Sequence, residues 1–147
     1  MGGGMIEASD QIGEWVAAHG LGRYAPETSR ALGLRRNGQI VAGAIFQDWN
    51  GQSVVLHIAI AGRLSPEFLG AMADYTFNVC NVEKAIAPVS SDNSNIINLI
   101  EKVGFSEEAR VINATPGGDL LYFTLHRDDC RFLGDRYAKR AKSTRAA

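Results

Sequence analysis

One segment constrains the fold more than any other: Asn93-Ser94-Asn95-Ile96-Ile97-Asn98-Leu99-Ile100-Glu101-Lys102-Val103-Gly104-Phe105. It predicts an amphipathic helix that stops at a glycine and runs straight into a strand. Ile96, Leu99, Ile100 and Val103 recur at helical spacing, so they line one buried face. Asp92 or Asn93 can serve as N-cap, because a short polar side chain accepts from the first free backbone N–H groups. Gly104 is the expected residue after the helix, where a left-handed backbone costs nothing without a Cβ.

The hydrophobic period changes along the rest of the chain. Asp10 to His19 predicts a helix with Ile12, Trp15 and Val16 on one face and Gly20 as its stop. Ala31 to Arg36 and Gln39 to Trp49 read as strands about a two-residue Asn37-Gly38 turn. Asn50-Gly51 predicts a second such turn, leading into an apolar strand from Ser53 to Ala61. Three antiparallel strands in a row make a meander. Pro66 opens a helix that runs to about Cys80, at a position that tolerates a missing N–H. Lys84 to Ser90 is a short strand, then come the helix 93–103 and a strand from Phe105 to Asn113. Pro116-Gly117-Gly118 turns the chain into a last strand, Asp119 to His126, followed by a short helix around 128–137. With 147 residues the chain is one domain's worth, enough for a single core. The order of elements makes it one mixed α/β domain.

Hydrophobic content of 46% and charged content of 21% are ordinary for a soluble globular protein. A net charge of −1 gives no general pull toward nucleic acid or an anionic membrane. From Arg131 onward, however, Arg131, Arg136, Lys139, Arg140, Lys142 and Arg145 face Asp135 alone. That tail is where a nucleic-acid contact is conceivable, through phosphate attraction without sequence information. Cys80 and Cys130 have neither ligand spacing nor the density of a disulfide scaffold, so reduced thiols in the cytoplasm are expected. No His/Cys/Asp/Glu cluster has metal-ligand spacing. No stretch approaches the roughly 18 apolar residues of a membrane span, and the start lacks the regions of a secretory signal. Met1 to Gly4 read as a cloning extension, which puts the domain at 5–137 and a basic, flexible tail at 138–147.

The Asn93–Phe105 segment resembles the Asn-x-x-Ala-x-x-Leu-Tyr-Glu-Lys-x-Gly-Phe motif of the GNAT superfamily of N-acyltransferases. Asn93, Leu99, Glu101, Lys102, Gly104 and Phe105 fall in place, Ile96 stands at the Ala position, and Ile100 replaces the frequent tyrosine. The resemblance covers roughly residues 31–127. It implies a GNAT-like α/β domain with a mixed central sheet, flanked by helices, in which an antiparallel meander meets one parallel, splayed strand pair. That pair would be Val54–Ala61 and Lys84–Ser90, joined by the helix 66–80. A narrower likeness, to short GNAT-type proteins of tailed phages, rests on His57-Ile58-Ala59-Ile60-Ala61-Gly62-Arg63 and Gly118-Asp119-Leu120-Leu121.

The resemblance implies an N-acetyltransferase that uses acetyl-CoA and joins it to an amine in a ternary complex. Backbone groups around Ile58, Ala59 and Ile60 would pair with the pantetheine arm, and Asn93 would bond the same arm or cap its helix. The pyrophosphate would lie near Leu64 to Phe68, with Ser65 at the turn and Arg63 pairing with phosphate. The family's glycine-rich turn is absent: the chain reads Gly62-Arg63-Leu64-Ser65-Pro66-Glu67-Phe68-Leu69-Gly70. Ile100 cannot protonate a thiolate, which leaves Tyr122 as the nearest candidate acid; its other reading is a packing residue. His57 has two readings as well. An imidazole can take a proton from an ammonium near neutral pH, or it can be a hydrogen-bonded core residue. Strand alternation groups His57 with Val55 and Ala59, unless a bulge breaks the parity. Asp48 is a candidate for holding a substrate ammonium. The acceptor, a small-molecule or protein amine, would meet residues 20–30 and the loop 113–118. The alternative function is a GNAT-like interaction module without catalysis, associated with a phage.

Overall fold

The computed structural model describes residues 4–133. In chain order these form β1 (Met5–Glu7), α1 (Asp10–His19), β2 (Arg30–Arg36), β3 (Gln39–Gln47), β4 (Ser53–Ile60), α2 (Pro66–Asp74), β5 (Lys84–Ser90), α3 (Ser94–Val103), β6 (Ser106–Thr115) and β7 (Gly118–His126). The seven strands make one sheet in the order β1-β2-β3-β4-β5-β7-β6. Every neighbouring pair is antiparallel except β4 and β5. Parallel neighbours need a crossover connection, which α2 supplies. The expected mixed sheet, with a meander and one parallel pair, is therefore present.

The helices cover both faces of the sheet. On one face α1 lays Ile12 and Val16 on Ala31, Ile45 and Ala59. On the other, Phe68 and Ala71 of α2 and Ile96 and Ile100 of α3 close a larger core over Leu34, Phe46, Val54, Leu56 and Phe123. The amphipathic pattern of residues 93–103 thus points Ile96 and Ile100 inward as expected. Asn93 is the N-cap, its side chain accepting from Ile96 N–H at 3.3 Å. At the other end Gly104 adopts φ 128°, and the amides of Gly104 and Phe105 both donate to the Ile100 carbonyl.

Several elements differ from the sequence reading. A three-residue strand, β1, precedes α1 and pairs Ile6 with Leu34; three residues are too few to show a period. Asn37-Gly38 is a tight turn with both φ angles positive, but Asn50-Gly51 is not a two-residue turn. The β3–β4 connection spans 48–52, with the Asn50 side chain accepting from the amides of Gln52 and Ser53, both at 2.8 Å. The helix expected to reach Cys80 changes geometry on the way: after Asp74 it widens into a π-helical turn, Tyr75–Val79. Thr76 Oγ1 donates to the Met72 carbonyl at 2.7 Å in that stretch, a bond that loosens a helix ladder. In place of the short helix from 128, a 3-10 turn covers Arg127–Asp129. Cys130, Phe132 and Leu133 then pack against the main core. Residues 1–3, the end of that expected helix with Tyr137, and the basic tail 138–147 lie outside the described residues.

Gly104 offers a direct test of how the α3 end holds the fold. Besides its positive φ, an added Cβ there would collide with the Asp129 carbonyl. Gly104→Ala is expected to lower stability by about 1–3 kcal/mol, read from the urea midpoint at unchanged slope.

Candidate active site

The β4–β5 ladder is short. It joins Ser53 to Lys84, Val54 to Ala85 and Val55 to Ile86, and stops there. Pro88, two residues on, has no N–H to extend a ladder. From Leu56 to Ile60 the β5-facing edge of β4 therefore has no strand partner, while its other edge stays paired with β3. The gap opens as a cleft of about 280 Å³ between His57 and Ile58 on β4 and Val89 and Ser90 on β5. Leu21 closes it from the α1 side, and Asn93 and Ile96 from the α3 side. A second compartment of about 420 Å³ lies beside it, lined by Asp48, Val55, His57, Pro88, Thr115 and Tyr122 among others. His57 and Leu21 line both. The imidazole is therefore part of the wall between two compartments.

His57 keeps the strand parity: Val55 shares its compartment, and Ala59 is buried on the same face against α1. Its Nε2 lies 2.8 Å from Nε2 of Gln47. Gln47 Oε1 in turn accepts from the Ser29 hydroxyl at 3.4 Å. Gly22 presses on the ring, since a Cβ added there would lie 2.5 Å from His57 Cγ. Nδ1 is enclosed and has no hydrogen-bond partner, and no other buried side-chain nitrogen or oxygen among the described residues shares that state. Burial holds the His57 pKa below its ordinary 6.5, with the Asp48 carboxylate pulling the other way. The neutral form thus dominates at neutral pH.

The other sequence candidates separate into two groups. Ile58 lines the cleft, Asn93 stands at its α3 wall, and Tyr122 lines the compartment that His57 shares. Asn93 uses only its carbonyl oxygen for the cap, so its carboxamide NH₂ is available as a donor. Ala59 is buried under α1, and Ile60 pairs with Ala42. Ile60 has its backbone groups on the free edge, whereas those of Ala59 face β3. At the turn before α2, Ser65 caps the helix: Oγ accepts from Phe68 N–H at 3.2 Å, and the Ser65 carbonyl takes Phe68 and Leu69 N–H. Leu64 packs on the core, and Arg63 is exposed, with its carbonyl accepting from the Arg36 guanidinium. Ile100 is 1% exposed and borders a small apolar cavity of about 30 Å³. Among the described residues no cluster of His, Cys, Asp and Glu could hold a metal ion, and no helix is long and apolar enough to cross a membrane.

Gln47, Leu21 and Gly22 escaped the sequence reading as individuals, although Leu21 and Thr115 belong to the two segments expected on the acceptor side. Gln47 was hidden by the misread turn. A two-residue turn at Asn50-Gly51 would have paired Gln47 with Val54, on the face away from His57. The longer connection pairs it with Val55, on the same face.

Comparison with solved structures fits this geometry. A mutant form of the spermidine/spermine N-acetyltransferase SpeG from Vibrio cholerae superposes with a TM-score of 0.66, at 14% identity, over 93% of this chain and 97% of that one. The manganese complex of the same enzyme gives 0.65 at 12% identity, over 84% and 94%. A chimera of SpeG with hSSAT gives 0.59 at 17% identity, over 70% of each chain. The chain has the GNAT fold. No protein-family model and no curated protein matches the sequence.

The depressed His57 pKa has a consequence for stability that does not depend on function. The unfolded chain takes up a proton near 6.5, whereas the folded chain resists until a lower pH. Stability is therefore lost as the pH falls from about 6.5 toward the folded value. His57→Gln is expected to flatten that part of the profile, measured by urea unfolding at pH 7.5, 6.0 and 5.0. A profile of unchanged slope would show that His57 is not the group responsible.

Proposed function

We propose that the chain is an N-acetyltransferase that transfers an acetyl group from acetyl-CoA to an amine by direct attack in a ternary complex. The observation that carries this reading is the parting of β4 from β5 around a cleft whose wall contains an imidazole held neutral. The backbone edge of β4 at Ile58 and Ile60 and the Asn93 carboxamide are the groups that would hold the pantetheine arm. Arg63 is the cation that would meet the diphosphate. The acceptor amine, from a small molecule or a protein, would enter the compartment lined by Asp48, Thr115 and Tyr122. The SpeG proteins act on spermidine, which supports an amine acceptor without identifying it.

Acyl transfer asks for a free amine, a polarised carbonyl and a protonated leaving thiolate. His57 takes the proton from the ammonium, directly or through water. The amine lone pair forms the new N–C bond to the thioester carbonyl, whose developing oxyanion meets a backbone N–H of β4. The C–S bond breaks as the carbonyl re-forms, the electron pair leaves with sulfur, and Tyr122 or solvent returns a proton to it. Two free cysteines suit a cytoplasmic setting for such chemistry.

A second reading, a non-catalytic GNAT-like interaction module of the kind a phage could use, is favoured by one specific feature. The α2 N-terminus is already occupied by Ser65, and it carries Pro66 and Glu67 where phosphate would lie. Calorimetric titration of acetyl-CoA separates the two. Binding is expected, and Arg63→Ala is expected to weaken it about tenfold if the guanidinium pairs with phosphate. No heat of binding at millimolar acetyl-CoA would overturn the acetyltransferase reading in favour of the non-catalytic one. For the enzyme, His57→Gln is expected to cost roughly 10²–10⁴-fold in kcat/KM, with the acetyl-CoA affinity retained.

A further inference from the structure

The two nitrogens of His57 meet unequal surroundings. Nε2 is engaged by the Gln47 carboxamide at 2.8 Å, and Gln47 is held from behind by Ser29, itself 3% exposed. Ser29 Oγ also receives the Ala25 N–H at 3.5 Å. Nδ1 has nothing, and the Gly22 backbone against Cγ opposes any swing of the ring that would exchange the two. A buried polar group without a partner keeps its desolvation penalty uncompensated, so an arrangement that keeps one calls for a reason.

A neutral imidazole carries a single proton. With the Gln47 NH₂ donating to Nε2, that proton sits on Nδ1, which is then a donor. With the carboxamide turned by 180°, Oε1 accepts from Nε2–H and Nδ1 becomes a lone pair. Ser29 Oγ serves both arrangements, because a hydroxyl donates to Oε1 in the first and accepts from NH₂ in the second. The heavy atoms need not move. Only the second arrangement leaves Nδ1 with a lone pair, and so able to accept a proton from a donor that reaches it. The resulting imidazolium then keeps Nε2–H on Oε1.

We propose that Gln47 is the positioning residue of His57, and that the orientation of its carboxamide decides whether Nδ1 donates or accepts a proton. This rests on the acetyltransferase reading only for its catalytic meaning. The ionisable groups around the ring are Asp48 just after β3, Tyr122 from β7 and Asp92 ahead of α3, while α1 contributes only Val16. None of the three hydrogen-bonds the imidazole, which leaves Gln47 as its direct partner.

The test is ¹⁵N-histidine NMR of the full chain across pH, with steady-state kinetics alongside. Gln47→Glu supplies an acceptor only and is expected to lock the proton on Nε2 and raise the His57 pKa by at least one pH unit. The acid limb of kcat/KM should move up with it, while the KM for acetyl-CoA stays within about twofold. Gln47→Leu, uncharged and of similar size, guards against a folding failure of the acidic variant. It removes the Nε2 partner, so it must change the His57 ¹⁵N shifts and lower kcat/KM, again with acetyl-CoA KM held. Wild-type ¹⁵N shifts and pKa in both variants would overturn the assignment. The same NMR response in the variants of a protein that binds no acetyl-CoA by calorimetry would overturn the acetyltransferase reading, while upholding Gln47 as the residue that sets the protonation of His57.

Discussion

The hydrogen-bond ladder between β4 and β5 stops after Val55–Ile86, and the candidate chemistry depends on that stop. A continued ladder would bury the β4 edge against β5 and leave no gap through the sheet. The interruption leaves backbone donors and acceptors unpaired along five residues, a cost that a folded chain recovers only with water or a ligand. Pro88 lowers that cost on the β5 side by bringing no donor. The ends of α1 and α3 roof the gap from opposite faces. Without the interruption His57 would border no gap in the sheet.

The site is polar where the sheet is otherwise apolar. Ala59 on the same face is buried under Ile12 and Val16, yet His57, two residues earlier, meets Gln47 and the Gly22 backbone. α1 ends at His19, so its apolar cover ends before His57. The Leu21–Gly22 segment takes over, and a glycine is the residue that can lie flat on the ring. Desolvation by this cover keeps the imidazole neutral, and Asp48 across the larger compartment moderates the effect. Burial and an opposing charge thus set a proton affinity below neutrality without forming an ion pair.

How much of this was legible follows from the kind of signal each part needs. The α3 segment was readable because its apolar spacing, cap and stop are all local. The strand pair and its crossover were readable through the GNAT resemblance of that same segment. The parity of His57 was readable from alternation alone. Its partner was not, because partnership across strands depends on register, and register depends on one loop. Asn50-Gly51 has the residues of a tight turn, but Asp48 takes a positive φ and Asn50 bonds forward to Gln52 and Ser53. That lengthens the loop and shifts the pairing by one residue, which moves Gln47 to the other face. The missed β1 belongs to the same category, since its three residues are a strand only through their pairing with β2.

The α2 N-terminus shows where stability and cofactor binding compete for the same groups. Ser65 and Pro66 make a good helix start: the serine satisfies Phe68 N–H, and the proline has none to satisfy. Glu67 then complements the helix dipole. Each of these choices removes something a diphosphate would use, whether a free N–H or an uncompensated positive potential. A glycine-rich turn makes the opposite choice, leaving N–H groups bare in the free protein so that an anion can fill them. Here the helix is self-sufficient. In the acetyltransferase reading, affinity for acetyl-CoA therefore has to come from the open β4 edge, the Asn93 carboxamide and Arg63, with little help from the helix itself. The recognition would then be weighted toward the pantetheine arm, the part of the cosubstrate that would lie beside His57.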